Sequence, residues 1–350
     1  MPAKPARPLM VGVASDASGC RRYGLVSWAR RFTLILCPVK PTRIVVLALV
    51  LTISGAAQAR TSQQAVPTSI AFWDRAHGLA GFAVYGPTGR SEGYISTTSD
   101  GGRSWTIRWR GTSVWDVTVV RRSRDAWARV DRARPCPRCP VLMLRTRDQG
   151  KTWRPAGTAP SMPSFPTRNV GFAMRSADTS AGDLMKTTDS GRSWRRVGSP
   201  CRRGWGGFAW DAAISFVSPS RGWVLCKGQP GAGSQSKALY LTTDGGSRWT
   251  QLVNAHFEPG RVRLRGLQAS GYPEGMNFTR GGRGLLWSAR GHTLRTGNGG
   301  RSWLPLSVTS SEEREGYSGW LVSNRVAFLL LQDNSSRRRW SLLRSTDGNR

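Results

Sequence analysis

The sequence predicts an all-β fold, and three observations support this prediction. No long stretch has the periodic apolar pattern of an amphipathic helix, and Gly or Pro interrupts the chain about every ten residues. The chain contains 16 Trp, which excludes a disordered basic chain, because such chains are poor in aromatic residues. It has no apolar run of about 18 residues or more, so a multi-span helical membrane protein is also excluded.

Residues 1–59 are predicted to be a leader that contains a signal peptide. An apolar run at 44–57 follows Lys40 and Arg43 and ends at Ala57-Gln58-Ala59, a small-x-small site that predicts cleavage after Ala59. The run is shorter than the roughly 20 residues that span a bilayer. We therefore expect 60–350 to be a single domain in a secreted or extracytoplasmic protein; the alternative is an N-terminal membrane anchor.

One turn pattern, Ser/Thr-x-Asp-x-Gly-x-Ser/Thr-Trp, recurs along the rest of the chain. Successive copies start 48, 41, 55, 54 and 49 residues apart, and the sixth is cut off by the end of the chain. Such a period is typical of repeat architectures. The residues expected to build these turns are Asp100, Gly102, Trp105, Asp148, Gly150, Trp153, Asp189, Gly191, Trp194, Asp244, Gly246, Trp249, Asn298, Gly300, Trp303 and Asp347.

Each residue type in this turn has a physical role. The Asp accepts hydrogen bonds from backbone N–H groups of its own turn, and the Gly supplies a positive φ. The hydroxyls tie the flanking strands together, and the Trp packs between neighbouring sheets. Asn298 can still accept through its carbonyl oxygen, whereas Arg248 replaces the second hydroxyl, so we expect a looser fourth turn.

A short strand with an aromatic residue precedes each turn, and another apolar strand lies upstream of most copies. The preceding strands are Gly81-Phe82, Ala126-Trp127, Gly171-Phe172, Gly222-Trp223, Leu285-Leu286-Trp287 and Ala327-Phe328. Strand, strand, strand, Asp turn and strand make one four-stranded blade in about 50 residues, the repeat of a β-propeller. We expect six or seven blades with the last one incomplete; truncation of the chain explains this best, and a strand near 61–66 that completes the ring is the alternative.

The turn resembles the Asp box, also called the bacterial neuraminidase repeat. With the Leu-x-Thr-Thr-Asp-Gly-Gly-x-x-Trp run at 239–249, residues 66–350 are similar to the photosystem II assembly-factor type of Asp-box propeller and to related secreted proteins of unknown function. Sialidases share the repeat. The resemblance implies a fold and a structural role for the box, and no single function.

Four cysteines remain after the leader, and an even number in an exported chain indicates disulfides. We expect Cys201 to pair with Cys226, and Cys136 to pair locally with Cys139. The Cys-x-x-Cys spacing also suits zinc or thiol-redox chemistry. We expect no metal and no cofactor, because no second Cys-x-x-Cys or close His pair is present.

A basic surface is the candidate binding site. The chain has 52 Lys plus Arg against 20 Asp plus Glu, a net charge of +32. In propellers, ligands usually meet the face opposite the Asp turns, and a positive face concentrates anionic partners. The predicted loops on that face carry Arg90, Arg132, Arg134, Arg138, Lys227, Arg337, Arg338 and Arg339. An Arg-rich genome that places Arg wherever solvent tolerates it explains the same residues.

Three functions compete. The first is an exported, non-catalytic scaffold that binds or assembles a protein partner. The second is a sialidase-like exo-glycosidase, for which the resemblance implies an arginine triad and a Tyr–Glu pair; only Tyr272 with Glu274, and Tyr317 with Glu315, are candidates. The third is a binder of acidic polymers, such as an anionic wall polysaccharide, whose affinity would fall steeply with salt. Nucleic acid is not an expected partner, and a membrane is expected only if the leader is not cleaved.

Overall fold

A computed structural model describes residues 10–15, 21–27, 30–36, 65–85, 91–132, 140–177, 180–202, 209–255, 266–306, 314–333 and 339–346. The chain divides into two units, Met1–Ala59 and Arg60–Arg350. In the first unit, β1 (Met10–Ser15), β2 (Arg21–Ser27) and β3 (Arg30–Leu36) form an antiparallel sheet. The predicted apolar run at 44–57 and its cleavage site lie outside the described residues. Within the described ranges, no helix is long and apolar enough to cross a membrane.

The second unit consists of six antiparallel sheets, which are the blades of a propeller. Blade 1 contains β4 (Ala65–Phe72), β5 (Gly78–Tyr85), β6 (Ser91–Thr98) and β7 (Thr106–Thr112). Blade 2 contains β8 (Val114–Val119), β9 (Ala126–Val130), β10 (Val141–Thr146) and β11 (Arg154–Ala159). Blade 3 contains β12 (Gly171–Ala177), β13 (Ser180–Thr187) and β14 (Arg195–Gly198).

The remaining three blades follow the same antiparallel order. Blade 4 contains β15 (Asp211–Phe216), β16 (Gly222–Lys227), β17 (Lys237–Thr242) and β18 (Thr250–Ala255). Blade 5 contains β19 (Tyr272–Phe278), β20 (Gly284–Ala289), β21 (Leu294–Thr296) and β22 (Leu304–Pro305). Blade 6 contains β23 (Arg314–Leu321), β24 (Ala327–Asp333) and β25 (Trp340–Ser345). The all-β, six-bladed architecture predicted from the repeats is confirmed.

In two of the six blades, three strands are described instead of four. In blade 3 the innermost position is taken by the segment around Ser164, which forms a single antiparallel bridge with Phe172 instead of a full strand. In blade 6 the fourth strand would follow the sixth turn, and Asp347 lies outside the described residues. Three strands are therefore described in each of these blades.

Polar side chains on the innermost strands join neighbouring blades. A Ser or Asn of one blade accepts a hydrogen bond from a backbone N–H of the next, which satisfies a backbone donor that an inner strand edge would otherwise leave unpaired. Five blade boundaries carry such a bond among the described residues: Val117 to Ser69 (3.3 Å), Phe216 to Ser164 (2.9 Å), Phe278 to Ser215 (2.9 Å), Leu321 to Asn277 (2.9 Å) and Ile70 to Ser318 (3.1 Å).

The ring closes between blade 6 and blade 1. Beyond the bond from Ile70 to Ser318, the indole Nε1 of Trp320 donates to the Phe72 carbonyl oxygen at 2.7 Å. The rings of Phe72 and Phe328 stack with their centroids 3.6 Å apart. Because the first and last blades pack directly on each other, the seven-bladed alternative is wrong. β4 begins at Ala65 and is the innermost strand of blade 1, so residues 65–66 do not complete blade 6. Residues 61–64 of that predicted strand lie outside the described residues.

Strand register corrects the positions that we assigned to the aromatic residue before each turn. The second strand of each blade starts opposite the last residue of the third strand, as Gly78 opposite Thr98 and Gly284 opposite Thr296. The residue after this start is Phe172 or Trp223 in blades 3 and 4 but Leu79 and Leu285 in blades 1 and 5. Phe82 and Trp287, which we predicted for those two blades, lie further along their strands.

The glycine at the start of the second strand is required by an aromatic ring. A Cβ at Gly78, Gly171, Gly222 or Gly284 would lie 2.3–2.5 Å from the ring of Phe72, Phe165, Phe216 or Phe278, respectively. Each of these rings belongs to the innermost segment of the same blade. Blades 2 and 6 have Ala at this position, where the paired inner residues are Val119 and Leu321. When the paired inner residue is aromatic, the first residue of the second strand must therefore be Gly. When the paired inner residue is a branched aliphatic one, Ala fits at that position.

These inner aromatic rings also stack on the preceding blade. Trp127 stacks on Phe165 at 3.8 Å, Phe172 on Phe216 at 3.6 Å and Trp223 on Phe278 at 4.1 Å between centroids. The Trp of each following Asp box meets the same inner ring edge-on, as Trp249 meets Phe216 at 6.5 Å. The stacked rings bury apolar surface between blades and so hold adjacent blades together; the edge-on pairs add stability within each blade.

The five complete Asp boxes share one hydrogen-bond network. In the box of Asp100, the Thr98 hydroxyl donates to one carboxylate oxygen (2.8 Å) and accepts from the Gly102 N–H (2.9 Å). The Ser104 hydroxyl donates to the other carboxylate oxygen at 2.5 Å, and the Trp105 indole donates to the Gly102 carbonyl oxygen at 3.1 Å. The equivalent bonds of the Thr hydroxyl recur in the boxes of Asp148, Asp189, Asp244 and Asn298.

Three boxes show variations on this network. Arg248 keeps the backbone bond to Asp244 at 2.9 Å but supplies no hydroxyl for the second carboxylate oxygen. Asn298 accepts through its carbonyl oxygen and donates from its amide to the Ser302 hydroxyl at 2.8 Å. The buried indole nitrogen of Trp194 has no hydrogen-bond partner within the described part of the chain.

A disulfide joins blades 3 and 4. Cys201, in a short 3₁₀ turn after β14, is bonded to Cys226 on β16 with a Cα–Cα distance of 5.5 Å. This confirms the predicted pairing. Cys136 and Cys139 lie outside the described residues, so their pairing stays a prediction.

Candidate functional site

The innermost strands enclose a central channel with a cavity volume of about 920 Å³. Its wall is formed by β4, β8, β15, β19 and β23 together with the segment 161–166 of blade 3. This size lies in the range of pockets that hold ligands or side chains of a partner. The channel is therefore the candidate functional site.

The two ends of the channel differ. We name the end at the Asp boxes the Asp-box face, where the box turn also bonds to the turn between the first and second strands, as Gly245 N–H does to the Ser220 carbonyl oxygen at 2.7 Å. We name the opposite end the loop face. Inner strands start at the loop face and end at the Asp-box face, so the first residues of β8, β15 and β19 surround the loop-face opening.

Five charged side chains lie in the channel wall near the loop face, and we name them the mouth cluster: Asp116, Arg129, Asp211, Lys227 and Glu274. The Arg129 Nε lies 3.1 Å from an Asp116 carboxylate oxygen. The Lys227 Nζ lies 2.7 Å from an Asp211 carboxylate oxygen and donates to the Pro273 carbonyl oxygen at 3.0 Å. Within the described residues, the Glu274 carboxylate has neither a hydrogen bond nor an ion pair, although the charge of Lys227 acts on it.

Burial and neighbouring charge shift the proton affinities of this cluster. Burial, together with the negative charge of Asp211, raises the pKa of Asp116 above its usual range, against the opposing effect of Arg129. Asp116 nevertheless keeps 38% of its side chain accessible, because it faces the channel. Partial burial also raises the pKa of Glu274, although this residue stays exposed; the nearby carboxylates of Asp211 and Glu315 add to the effect and Lys227 opposes it. Both groups therefore take up protons more readily than free carboxylates do.

Aromatic side chains surround the same opening. Trp115, Trp287 and Tyr317 line the channel. On the loop face, Trp210 is 63% exposed and precedes Asp211, and Tyr85 is 56% exposed and close enough to Tyr317 for electrostatic interaction. Burial, followed by Tyr85 and Glu274, raises the pKa of the Tyr317 phenol. The opening therefore combines flat apolar faces with carboxylates.

Glycines give Trp287 its place in the channel wall. A Cβ at Gly275 on β19 would lie 2.3 Å from the indole ring, and one at Gly319 on β23 would lie 2.8 Å from it. A Cβ at Gly316 would lie 2.2 Å from the Thr293 Oγ1 and 3.3 Å from the Trp287 Cβ. Because these inner-strand positions have no side chain, the indole from β20 lies between blades 5 and 6 and reaches the channel beside Glu274.

At the Asp-box end, one arginine spans the channel. The guanidinium of Arg121, from blade 2, donates to the Phe278 carbonyl oxygen of blade 5 at 2.9 Å and to the Val322 carbonyl oxygen of blade 6 at 3.1 Å. It also donates to the Asn277 side-chain oxygen at 3.1 Å. Burial, with a contribution from Arg280, lowers its pKa to about 10, so Arg121 stays charged at neutral pH and holds three blades together.

The structure brings few of the predicted basic residues to the channel. Lys227 belongs to the mouth cluster, but it is buried and paired with Asp211. Arg132 donates to the Pro140 carbonyl oxygen at 2.7 Å beside a loop, and the backbone carbonyl of exposed Arg339 accepts a bond from the Asp333 N–H. The other predicted basic residues lie outside the described ranges: Arg90, Arg134, Arg138, Arg337 and Arg338. Binding of an acidic polymer stays a prediction.

The tyrosines of the two predicted Tyr–Glu pairs lie in different places. The Tyr272 hydroxyl accepts a hydrogen bond from the Gly233 N–H at 2.7 Å and serves a loop contact. Tyr317 lines the channel, where the negative charges of Glu274 and Asp116, from other blades, act on its phenol. The structure thus combines one member from each predicted pair, Tyr317 and Glu274.

Asp116, Arg129, Asp211 and Trp287 were missed by the reasoning from sequence. The signal for Asp116 and Asp211 is a carboxylate at the start of an inner strand, in Val-Trp-Asp-Val and Trp-Asp-Ala-Ala-Ile. Such a residue has the same local pattern as a solvated strand end. Only ring geometry distinguishes the two.

Comparisons with known proteins agree at the level of fold. No family model and no curated protein matches the chain. A Hadza microbial sialidase, Hz136, is 14% identical with a TM-score of 0.51, over 79% of this chain and 65% of that chain. A Trypanosoma rangeli sialidase in complex with the inhibitor DANA is 12% identical with a TM-score of 0.51, over 80% of this chain and 54% of that chain.

A third similar structure is YCF48 from Cyanidioschyzon merolae, which is 16% identical with a TM-score of 0.46 over 81% of this chain and 96% of that chain. Identities this low concern the fold and carry no function to this chain. The present chain spans only part of the two sialidases. The recurring Asp turns, the closed ring of six sheets and the similarity in fold to the sialidases agree. The chain is a six-bladed β-propeller of the Asp-box type.

Proposed function

We propose that the protein is an exported, non-catalytic scaffold that binds a protein partner at its loop face, with the channel opening at the centre of the contact. The observation that carries this proposal is the combination of an open cavity with exposed aromatic side chains on one face. Trp210 is 63% exposed and stands beside Asp211 of the mouth cluster. Tyr and Trp are enriched in the energetically dominant part of protein interfaces.

Export is supported by the disulfide between Cys201 and Cys226, because such bonds persist in oxidising compartments. The predicted leader at 1–59 would deliver the chain there. The disulfide and the predicted leader both concern where the protein is located. The proposed binding role depends only on the features of the loop face.

Site-specific photocrosslinking tests this proposal. A photoreactive phenylalanine derivative replaces Trp210 in one variant and Leu304 in the other. Leu304 is a matched control, because it is 56% exposed and apolar but lies on the outermost strand of blade 5. In the native host, we expect one adduct of defined mass from the Trp210 position and none from the Leu304 position. Equal adducts from both positions, or none from Trp210, would contradict binding at the loop face.

A sialidase-like exo-glycosidase is the second candidate, because one observation favours it. Tyr317 and Glu274, from neighbouring blades, line the same channel, and the charges of Glu274 and Asp116 both act on the Tyr317 phenol. The raised pKa of Tyr317 opposes ionisation of the free phenol, so a nucleophilic role requires Glu274 to accept the phenol proton as the oxygen attacks the anomeric carbon. Asp116, with its own raised pKa, would donate a proton to the leaving group.

Turnover of a fluorogenic sialoside tests this candidate. Activity that disappears in Tyr317→Phe and in Glu274→Gln supports it. Tyr272→Phe is the control, because the Tyr272 hydroxyl serves a loop contact with Gly233 and activity should remain. Absence of turnover by the folded wild-type protein removes this candidate and leaves the scaffold.

A further inference from the structure

We propose that the channel opening holds an arginine side chain of the protein partner, with its guanidinium group between the Glu274 side of the channel and the carboxylates of Asp116 and Asp211. This inference rests on the proposed binding function and specifies the chemistry that the partner must present. Three observations carry it: the local charge, the aromatic faces and the form of the cavity.

The local charge is opposite to that of the whole chain. The chain carries a net charge of +32, whereas the mouth cluster contains three carboxylates and two cations. Arg129 pairs with Asp116, and Lys227 pairs with Asp211. The carboxylate of Glu274 has no counter-ion bonded to it among the described residues, and Glu315 on the neighbouring strand adds further negative charge close by. A cation that enters the opening therefore completes the ionic pairing.

The aromatic faces favour a guanidinium over an anion or a neutral group. Trp287 and Tyr317 line the channel. The Trp287 indole lies against Gly275, the residue after Glu274, and the charge of Glu274 acts on the Tyr317 phenol. A planar guanidinium stacks on aromatic faces and pairs with a carboxylate through two parallel hydrogen bonds. An ammonium group has neither property to the same degree, because it is a compact and strongly hydrated charge. Arginine therefore fits this wall better than lysine.

The form of the cavity favours a side chain carried on a partner. The cavity of about 920 Å³ opens at the loop face beside exposed Trp210, and Arg121 spans its far end. A long side chain can extend into the opening while its backbone contacts Trp210 and Tyr85 outside. The apolar rim and the charged interior thus bind different parts of one segment.

The first test uses capped pentapeptides of known sequence. Binding of Ac-Gly-Ser-Arg-Ser-Gly-NH₂ is measured by tryptophan fluorescence and calorimetry, in parallel with the same peptide carrying citrulline, which is uncharged, or lysine. We expect the arginine peptide to bind about ten-fold more tightly than the citrulline peptide and more tightly than the lysine peptide. Equal binding of the arginine and citrulline peptides, or no binding of either, overturns the proposal. Equal binding of acetyl-arginine amide alone overturns the assignment to a protein segment.

Variants locate the site. Glu274→Gln and, independently, Asp211→Asn should each weaken binding of the arginine peptide by about five- to ten-fold, since both retain the shape of the side chain. Glu92→Gln is the matched control: Glu92 is exposed on β6 and does not line the channel, so affinity should stay within about two-fold. Unchanged affinity in both mouth variants overturns the proposal.

The crosslinking experiment separates this inference from the proposed function. If the partner crosslinks at the Trp210 position and Glu274→Gln leaves its affinity unchanged, the scaffold stands and the arginine assignment is wrong. If no partner crosslinks there, the proposed function itself fails.

Discussion

Removal of the disulfide between blades 3 and 4 should lower stability by an amount that the sequence separation sets. Cys201 and Cys226 are 25 residues apart. In the chain-entropy description, a cross-link over a loop of this length reduces the entropy of the unfolded chain and stabilises the fold by about 3.5 kcal/mol. For the unit Arg60–Arg350, the average entropy of unfolding per residue converts this to a fall in Tm of about 6 °C.

The assay is guanidinium denaturation with and without a reductant. The background carries Cys20→Ala, Cys37→Ala, Cys136→Ala and Cys139→Ala, so that Cys201 and Cys226 are the two cysteines left in the chain and reduction can break only the bond between them. Reduction of this protein should lower the free energy of unfolding by about 3.5 kcal/mol and raise the m-value, because the unfolded chain becomes more expanded. The further variant with Cys201→Ala and Cys226→Ala should be unaffected by reductant.

That variant should also be slightly less stable than the reduced protein. The Cys226 side chain is fully buried, so alanine leaves a small cavity that the reduced thiol fills. A loss below about 1 kcal/mol on reduction, with an unchanged m-value, would refute the loop-entropy reasoning. The disulfide would then only accompany packing that already holds the two blades together.

Three further changes test the ring, a buried lysine and an Asp box. Phe328→Ala removes the stack on Phe72 that closes the ring. Its free energy of unfolding, measured by chemical denaturation, should be lower by about 3–5 kcal/mol. Burial lowers the pKa of Lys237 to about 7. Above pH 7 the unfolded state therefore binds more protons than the folded state, and the free energy of unfolding should rise from about pH 7 to about pH 10. Chemical denaturation at these two pH values should show the rise in the wild type and not in Lys237→Met. Burial opposes ionisation of Asp148, but hydrogen bonds led by the Thr152 hydroxyl outweigh it and lower the pKa to about 2; Thr152→Val should raise this pKa in a carbon-detected NMR titration, and an unchanged value would contradict the assignment.

The recurring turns were sufficient to predict the blades, because their chemistry is local. The Asp accepts from groups at most four residues away, as Asp189 does from the Ser193 N–H at 3.0 Å. A local network of this kind leaves a fixed spacing in the sequence. For the same reason, the hydrogen bonds that Asn298 keeps and the hydroxyl bond that Arg248 loses could be predicted from their side-chain groups alone; a looser fourth turn stays a prediction.

Register within a blade could not be predicted in the same way. In blade 1, Phe82 lies on the same strand as Leu79 and follows Gly81, so the Gly-aromatic pattern favoured it as the repeated position. The pairing of Gly78 with Thr98 excludes it. Gly78 is needed because the ring of Phe72 lies against it, and Phe72 belongs to another strand of the same blade.

The mouth cluster lay even further from what sequence could show. Its members come from blades 2, 4 and 5, and Arg129 and Lys227 are separated by most of two repeats. Each carboxylate alone resembles the solvated end of a strand. Their proximity follows only when the inner strands converge around one axis, which depends on closure of the ring.

The position of Arg121 has a consequence for what can enter the channel deeply. Its guanidinium extends from blade 2 to carbonyl oxygens of blades 5 and 6, so a fixed positive charge lies across the Asp-box end. A group that enters at the loop face approaches this charge as it goes deeper. Repulsion between like charges therefore disfavours deep entry of a cation and leaves it near the wide rim.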